Sequence, residues 1–215
     1  MNDLIKGIDV SRWQGANINW NDIRKADYKF VFIKVTDGAA YKQAFINGAK
    51  LQADQSLAAG LKIGYYHFAH PTDNPTLQSD AQMEADYFIN TLKTGFPSPH
   101  FPLALDFEDE HILLSPADCV SWVTTFANRI KEVHPELILY TYKSYANNHL
   151  SLNHPLGVLP LWIAGYPRKV NFKKPTSIPR GWTTWQIWQY SNKGIVPGIV
   201  TVDLNVMKKS FFEKY

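Results

Sequence analysis

The chain has 215 residues and a single cysteine, Cys119, so no disulfide can close within it. No CxxC pair and no histidine-rich cluster offers the ligand spacing of a metal site. No Lys/Arg run exceeds two residues and the net charge is +3, which argues against a dedicated nucleic-acid binder. No apolar run approaches the length of a membrane span. The opening "MNDLIKGIDV" lacks the basic segment and long apolar run of a secretory signal. A soluble protein made in the cytoplasm, with no membrane insertion, is therefore expected. GxSxG is missing, which removes the commonest serine-nucleophile turn. No glycine-rich loop is placed to cradle phosphate. No repeat, linker or low-complexity segment divides the chain, so one domain over residues 1–215 is expected.

What is present is core-forming material. Hydrophobic residues make up 45% and charged residues 19%, which suits a folded chain rather than a disordered one. Aromatics reach 14%, with seven Trp and eleven Tyr. Most such rings fill cores and groove walls; flat amphipathic rings also suit sugar-binding clefts.

Eight apolar, β-branched runs read as strands: "LIKGIDVS", "FVFIKVT", "LKIGYYHFAH", "PLALDFED", "LILYTY", "PLWIAGY", "WQIWQYS" and "GIVTVDLN". Helical spacing appears between the early ones, at "NWNDIRKA", 42–59, 75–93 and 115–133, and "SYANNHL" follows the fifth. In 115–133, Ser115 suits an N-cap and Pro116 the first helical position. Beyond the sixth strand the chain reads as a proline-rich loop, "PRKVNFKKPTSIPRGW", and then a turn, "NKGIVPGIV". Strand–helix alternation points to a parallel sheet or barrel, and eight strands point to closure. The expected fold is α/β: a modified TIM-like barrel whose last part lacks outer helices.

The stretch "LALDFEDE" drives an apolar strand into two acids. Strand side chains alternate, so Asp106 and Glu108 share a face and Phe107 takes the other. In β/α barrels reacting groups sit at strand C-termini. By that rule Asp9, Asp37, Asp106, Glu108 and Asp203 converge on one rim, with Tyr65, Tyr66, His67, Tyr140, Tyr142, Trp162, Tyr166, Trp188, Gln189 and Tyr190 between them. Singly, Asp9 or Asp203 reads as a cap or turn residue and His67 as a hydrogen-bonded core histidine. Together, acids lined by Tyr and Trp suit glycosidic-bond cleavage, in which crowded carboxylates raise one pKa and supply the proton donor. Clustered acids also suit Mg²⁺ or Ca²⁺. The aromatic density favours carbohydrate, so no metal and no cofactor is expected.

At these residues a resemblance enters. "GIDVSRWQG", "FVFIKVTDG", "GYYHFAHP", "LALDFED", "LYTYKSY", "LWIAGY", "WQIWQYS" and "VDLN" resemble, in order, the motifs of glycoside hydrolase family 25, the Ch-type lysozymes or N-acetylmuramidases, from Gly7 to about Asn205. The resemblance implies a flattened (β/α)5(β)3 barrel. It implies hydrolysis of the β-1,4 bond between N-acetylmuramic acid and N-acetylglucosamine in peptidoglycan. Glu108 matches the family's general acid, Asp106 its assisting acid, and Asp9 and Asp203 the other two cleft acids. Lys34, Asp37, Tyr41, Tyr66, Tyr142, Trp162 and Trp188 resemble substrate-contacting or cleft-shaping positions. Asp37 stands where many members have Glu, and "KQAF" after Tyr41 departs from the commoner acidic-proline pattern. The family also suggests retention through attack by the substrate's own N-acetyl group, steadied by Asp106.

Two other readings remain on the sequence. One is a chitinase-like barrel glycosidase, although the residues before Asp106 are Leu103, Ala104 and Leu105 rather than further acids. The other is a non-catalytic peptidoglycan-binding domain, although both members of the acid pair are present. The expected partner is the bacterial glycan strand, bound by a monomer with no separate wall-binding module. Without a leader, release by phage lysis is the expected route to the wall, with export of a bacterial effector or autolysin as the alternative.

Overall fold

The computed structural model describes residues 3–172, 175 and 177–215. Met1 and Asn2 of the opening segment, and Lys173, Lys174 and Thr176 of the proline-rich loop, lie outside the described residues. The strands are β1 Leu4–Val10, β2 Phe30–Asp37, β3 Lys62–Phe68, β4 Leu103–Asp106, β5 Leu137–Tyr142, β6 Leu161–Ala164, β7 Ile187–Val196 and β8 Ile199–Lys208. The helices are α1 Trp20–Lys25, α2 Gln43–Ala58, α3 Leu77–Leu92, α4 Pro116–Lys131, α5 Lys143–His149 and α6 Lys209–Lys214. The strands close into a barrel in chain order. Pairing is parallel from β1 through β7, and β8 runs antiparallel to both β7 and β1. One helix follows each of the first five strands and, among the described residues, none stands between β6 and β7 or between β7 and β8, as the fading helical pattern predicts.

Local chemistry sets the helix starts. Ser115 accepts from the Asp118 N–H at 3.2 Å with Pro116 at the first helical position. Thr76 caps α3 by accepting from Ser79 N–H, so that helix begins after the "NPT" segment rather than within it. Two differences from expectation concern the last strands. The expected turn "NKGIVPGIV" is mostly strand: β7 runs to Val196, β8 starts at Ile199, and only Pro197 and Gly198 turn, with Gly198 at φ +94°. The short α6 is new, and the aromatic pair Phe211 and Phe212 anchors it on the barrel.

Strand alternation splits the core in two. Ile8, Val31, Ile33, Ile63, Leu103, Leu105 and Leu139 face outward and pack under the helices with Phe88, Trp122 and Phe126. Phe30, Phe32, Ala104, Ile138, Trp162, Ile187 and Met207 fill the barrel itself. Phe32 lies 5.6 Å from Phe101, stacked, and 4.8 Å from Trp162. Those rings fit because two inward positions are glycines: a Cβ on Gly7 would lie 2.3 Å from Phe30, and one on Gly64 2.3 Å from Phe32. Phe211 and Phe212 of α6 join Phe30 and Phe101 at the end where β1 and β2 begin. Aromatic packing therefore closes that end, and the strand C-termini are left to form the open rim.

Candidate active site

The rim is built by register. Asp9 lies directly opposite Asp203 across β1 and β8. Because β8 runs the other way, its first half reaches the rim. Asp203 therefore does not sit at a strand C-terminus, as the barrel rule alone would have it. Asp106 ends β4, paired with Phe68 on one side and Tyr140 on the other. Strand pairing carries on one residue further, where the Phe107 N–H donates to the Tyr140 carbonyl at 2.9 Å. Glu108 thus lies just past the strand rather than in it, and the alternation still holds. Phe107 is buried outward, 5.4 Å from the Tyr145 ring, while Asp106 and Glu108 face the same cavity.

That cavity holds about 300 Å³. Its walls include all four predicted acids, Asp9, Asp106, Glu108 and Asp203, together with Lys34, Tyr66 and Trp162. Tyr140, Tyr166, Gln189, Asn192, Phe68, Ser11 and Trp13 complete it. Trp13 is 79% exposed and sits on a 3₁₀ turn, Arg12–Gln14, fixed by a reciprocal cap between Ser11 and Gln14. A second cavity of about 440 Å³ shares Glu108 and Tyr166 with the first and adds Glu110, Tyr142 and Lys143. Among the described residues no group of three or more His, Cys, Asp or Glu is arranged to hold a metal ion, and no helix is long and apolar enough to cross a membrane.

Burial dominates the electrostatics. It pushes Glu108 up to about 7, and the neighbouring Tyr140 hydroxyl pulls part of that back. Burial, then the charge of Glu108, push Asp106 well above the ordinary carboxylate range, with Lys34 opposing. The charge of Glu108 thus opposes the ionisation of Asp106 beside it. Asp203 is pushed up to about 8 by burial and by Asp9. Asp9 is raised by burial, and hydrogen bonds from Gln189, Asn205 and Asp203 offset this. Its Oδ2 accepts from Gln189 at 2.9 Å and from Asn205 at 2.7 Å. Both acids of this pair are thus shifted upward, and each bears on the other through their mutual hydrogen bond. Asp106 Oδ1 is buried and has no hydrogen-bond partner among the described residues.

Four of the predicted substrate positions stand elsewhere. Trp188 is fully buried in the outer core, 6.0 Å from the Tyr190 ring, with its indole N–H on the Gly165 carbonyl at 2.9 Å. Strand parity is the reason: Gln189, one residue on, faces inward instead. Asp37 does not line the acid cavity; it pairs with Lys34 and with His70. Tyr41 packs on Phe45 at 5.2 Å, between Lys34 and Arg12. Tyr142 lines the second cavity, where its hydroxyl donates to Glu110 at 3.1 Å. His67 is a core histidine, as its single-residue reading holds: its ring bridges Thr36 at 2.8 Å and Glu84 at 2.7 Å under α3.

Gln189, Tyr140 and Tyr166, which the sequence places on the rim without giving them a substrate role, line the acid cavity. Gln189 Oε1 accepts from Tyr140 at 3.0 Å and Tyr166 at 2.5 Å while its amide donates to Asp9. It thus links two phenols to the acid pair. Counting alternate residues back from the inward Asp203 and Asn205 and across to β7 is the signal that finds it. Trp13 has its signal in the "SRWQG" turn directly after Asp9.

The model of "Glycosyl hydrolases family 25" matches residues 8–199. Lysozyme M1 of Streptomyces globisporus is 32% identical over 204 residues, which cover 91% of this chain and 64% of that protein. The autolytic lysozyme of Clostridium acetobutylicum is 31% identical, over 91% of this chain and 53% of its own length. The chain thus spans less than two thirds of these two relatives. Among solved structures, the bacterial lysozyme of Streptomyces coelicolor superposes with a TM-score of 0.76 at 32% identity, covering 94% of this chain and 90% of that one. The spore cortex lytic enzyme SleM of Clostridium perfringens gives 0.80 at 26%, covering 98% and 69%.

Proposed function

Because the chain belongs to glycosyl hydrolases family 25, we propose that it is a lysozyme that hydrolyses the β-1,4 bond from N-acetylmuramic acid to N-acetylglucosamine in peptidoglycan. The observation that carries this reading is the Asp106–Glu108 pair on one face of a cavity that also holds Asp9 and Asp203.

Glu108 gives its proton to the glycosidic oxygen as the C1–O bond breaks; a pKa near 7 keeps that proton available in weakly acidic to neutral solution. The substrate's N-acetyl carbonyl oxygen bonds to C1 on the opposite face. The buried, unpartnered Asp106 Oδ1 suits the N–H of that amide, whose positive charge grows as its oxygen attacks. Water then attacks C1 as the bond from C1 to the N-acetyl oxygen breaks, and it gives a proton back to Glu108, so the configuration is retained. Asp9, held by Gln189, Asn205 and Asp203, adds negative potential beneath the cationic sugar. Exposed Trp13 offers a flat face for a sugar ring further along the cleft.

A general acid must stand between the sugar attacked and the sugar that departs. Glu108 is shared by the two cavities, and only the first holds Asp106. The muramic ring therefore belongs in the acid-rich cavity and the departing glucosamine on the side of Tyr142 and Glu110. The cell wall is the place of action under this reading, whether the chain arrives by lysis or by export.

The test is digestion of purified peptidoglycan by wild type and Glu108→Gln, with new reducing ends identified by mass spectrometry. Muramic-acid ends from wild type, and a rate lower by about 10²–10⁴ in the variant, are expected. Glucosamine ends would assign another bond. No cleavage by wild type would leave a binding domain. An inverted anomer in early-time NMR of the product would rule out the N-acetyl route.

A further inference from the structure

His70 lies outside the walls of both cavities, yet each of its ring nitrogens faces a carboxylate. Nε2 is 2.7 Å from Asp37 Oδ1 and Nδ1 is 2.8 Å from Asp109 Oδ2. A neutral imidazole has one N–H; only the imidazolium donates to both acids at once. The two acids belong to different parts of the cleft. Asp37 ends β2 and its other oxygen pairs with Lys34, a wall of the acid cavity. Asp109 follows Glu108 directly.

The chain needs an anchor at that point. Regular pairing of β4 stops at Asp106, and the last strand-like hydrogen bond is that of the Phe107 N–H. Past it, the side chain of Glu108 meets the Tyr140 hydroxyl, and its backbone is placed by what holds its neighbour. Asp109 Oδ1 accepts from the His111 N–H at 2.9 Å, its carbonyl accepts from the Tyr145 hydroxyl at 2.9 Å, and its remaining carboxylate oxygen is the one on His70. His70 is itself fixed: its backbone N–H donates to Glu84 of α3 at 3.2 Å, and its ring lies 5.1 Å from that of Phe68.

We propose that His70, as an imidazolium, is a positioning residue for Glu108: it ties Asp109 to Asp37 and so holds the acid-bearing segment against the β2 side of the cleft. The charged groups around the ring favour that form. Asp37, Asp109 and Glu84 are set against one cation, Lys34. The hydrogen bond to Asp37, with that to Asp109, raises the ring to about 9 although partial burial opposes it. The clamp is then closed through neutral pH and opens on one side in alkali.

The activity readout rests on the lysozyme reading, so the test has an arm that needs no turnover. NMR of the free wild-type protein at pH 8 should find both His70 ring nitrogens protonated. On peptidoglycan at pH 6, His70→Gln should lower kcat about tenfold with KM within about twofold, because a misplaced proton donor slows chemistry more than binding. His70→Arg, which keeps two donors and a permanent charge, should restore most of kcat. The wild-type decline of log kcat/KM in alkali should steepen from slope −1 toward −2 as His70 loses its proton, while His70→Arg stays near −1. A neutral ring at pH 8, or wild-type kcat in His70→Gln with an unchanged melting temperature, overturns the clamp. A wild type that cleaves nothing overturns the lysozyme reading instead, and the NMR arm still decides the clamp.

Discussion

As the proposed proton donor, Glu108 has to be a weak acid, and its surroundings make it one. It is largely enclosed and faces Asp9 and Glu110, while the Tyr140 hydroxyl and Lys34 act against them. Under the proposed mechanism the form that reacts is the protonated one, which fixes the sign of the pH dependence. Activity requires the proton, and the proton is lost as pH rises through about 7. kcat/KM should therefore fall about tenfold per pH unit above that point, with no compensating gain from Asp106, which burial and the charge of Glu108 keep from ionising alongside it. Steady-state rates on soluble glycan from pH 5 to 9 check this. A plateau reaching past pH 8 would move the proton donor elsewhere. The Gln189 bridge belongs to the same argument. By donating to Asp9 it favours the ionised form of that carboxylate against the burial that raises it, and Asp9 in turn helps to push Asp203 up.

At the scale of the elements, the cleft rests on a column of rings inside the barrel. Gly64 on β3 makes room for Phe32 on β2, and Phe32 touches Trp162 on β6, a wall of the acid cavity. Gly64→Ala puts a methyl 2.3 Å from the Phe32 ring, among stacked aromatics with little space to yield. Overpacking of this kind costs about 1–3 kcal/mol. In a chain this long that lowers the melting temperature by roughly 3–10 °C. Thermal unfolding measures it; an unchanged melting temperature would mean the column is slack. The eight strands are legible in the sequence because β-branched runs declare them, and five helices because caps and 3.6-residue spacing do. Glycines opposite inward phenylalanines are legible only once strands are paired. The six-residue α6 follows β8 directly and has no side-chain cap to mark where the strand gives way to a helix. The same limit governs the site. Asp106 and Glu108 are legible because alternation along one stretch of chain places them together. Trp188 misleads because its ring outweighs its parity, and the parity that selects Gln189 depends on a neighbouring strand. The Asp37–His70–Asp109 contact joins the ends of three strands that no local pattern brings together.

For the whole molecule, the acids at the rim make stability depend on pH. Glu108 and Asp203 rise from 4.5 and 3.8 to about 7 and 8 on folding. Between those limits the folded chain binds more protons than the unfolded one, so stability falls as pH rises. His70 acts in the same direction between 6.5 and about 9, by less, since its side chain is 47% exposed. Asp37 acts in the opposite direction: its pKa is lowered from 3.8 to about 2, so its contribution is present above 3.8 and lost only as pH falls through 2. The melting temperature should therefore peak near pH 4–5 and decline toward pH 9. Asp203→Asn removes one share of this while its amide still donates to Asp9. The variant should match wild type at pH 4 and exceed it at pH 8 by about 1–2 kcal/mol, or ~3–8 °C, even as it loses activity. Calorimetric scans of both proteins across that range decide the matter. A wild-type melting temperature that climbs from pH 5 to 8, or an Asp203→Asn variant that gains nothing at pH 8, would mean that the rim acids are solvated. An acid cluster that costs nothing to fold is one that water still solvates, and such a cluster would not hold near neutral pH the proton that the proposed mechanism takes from Glu108.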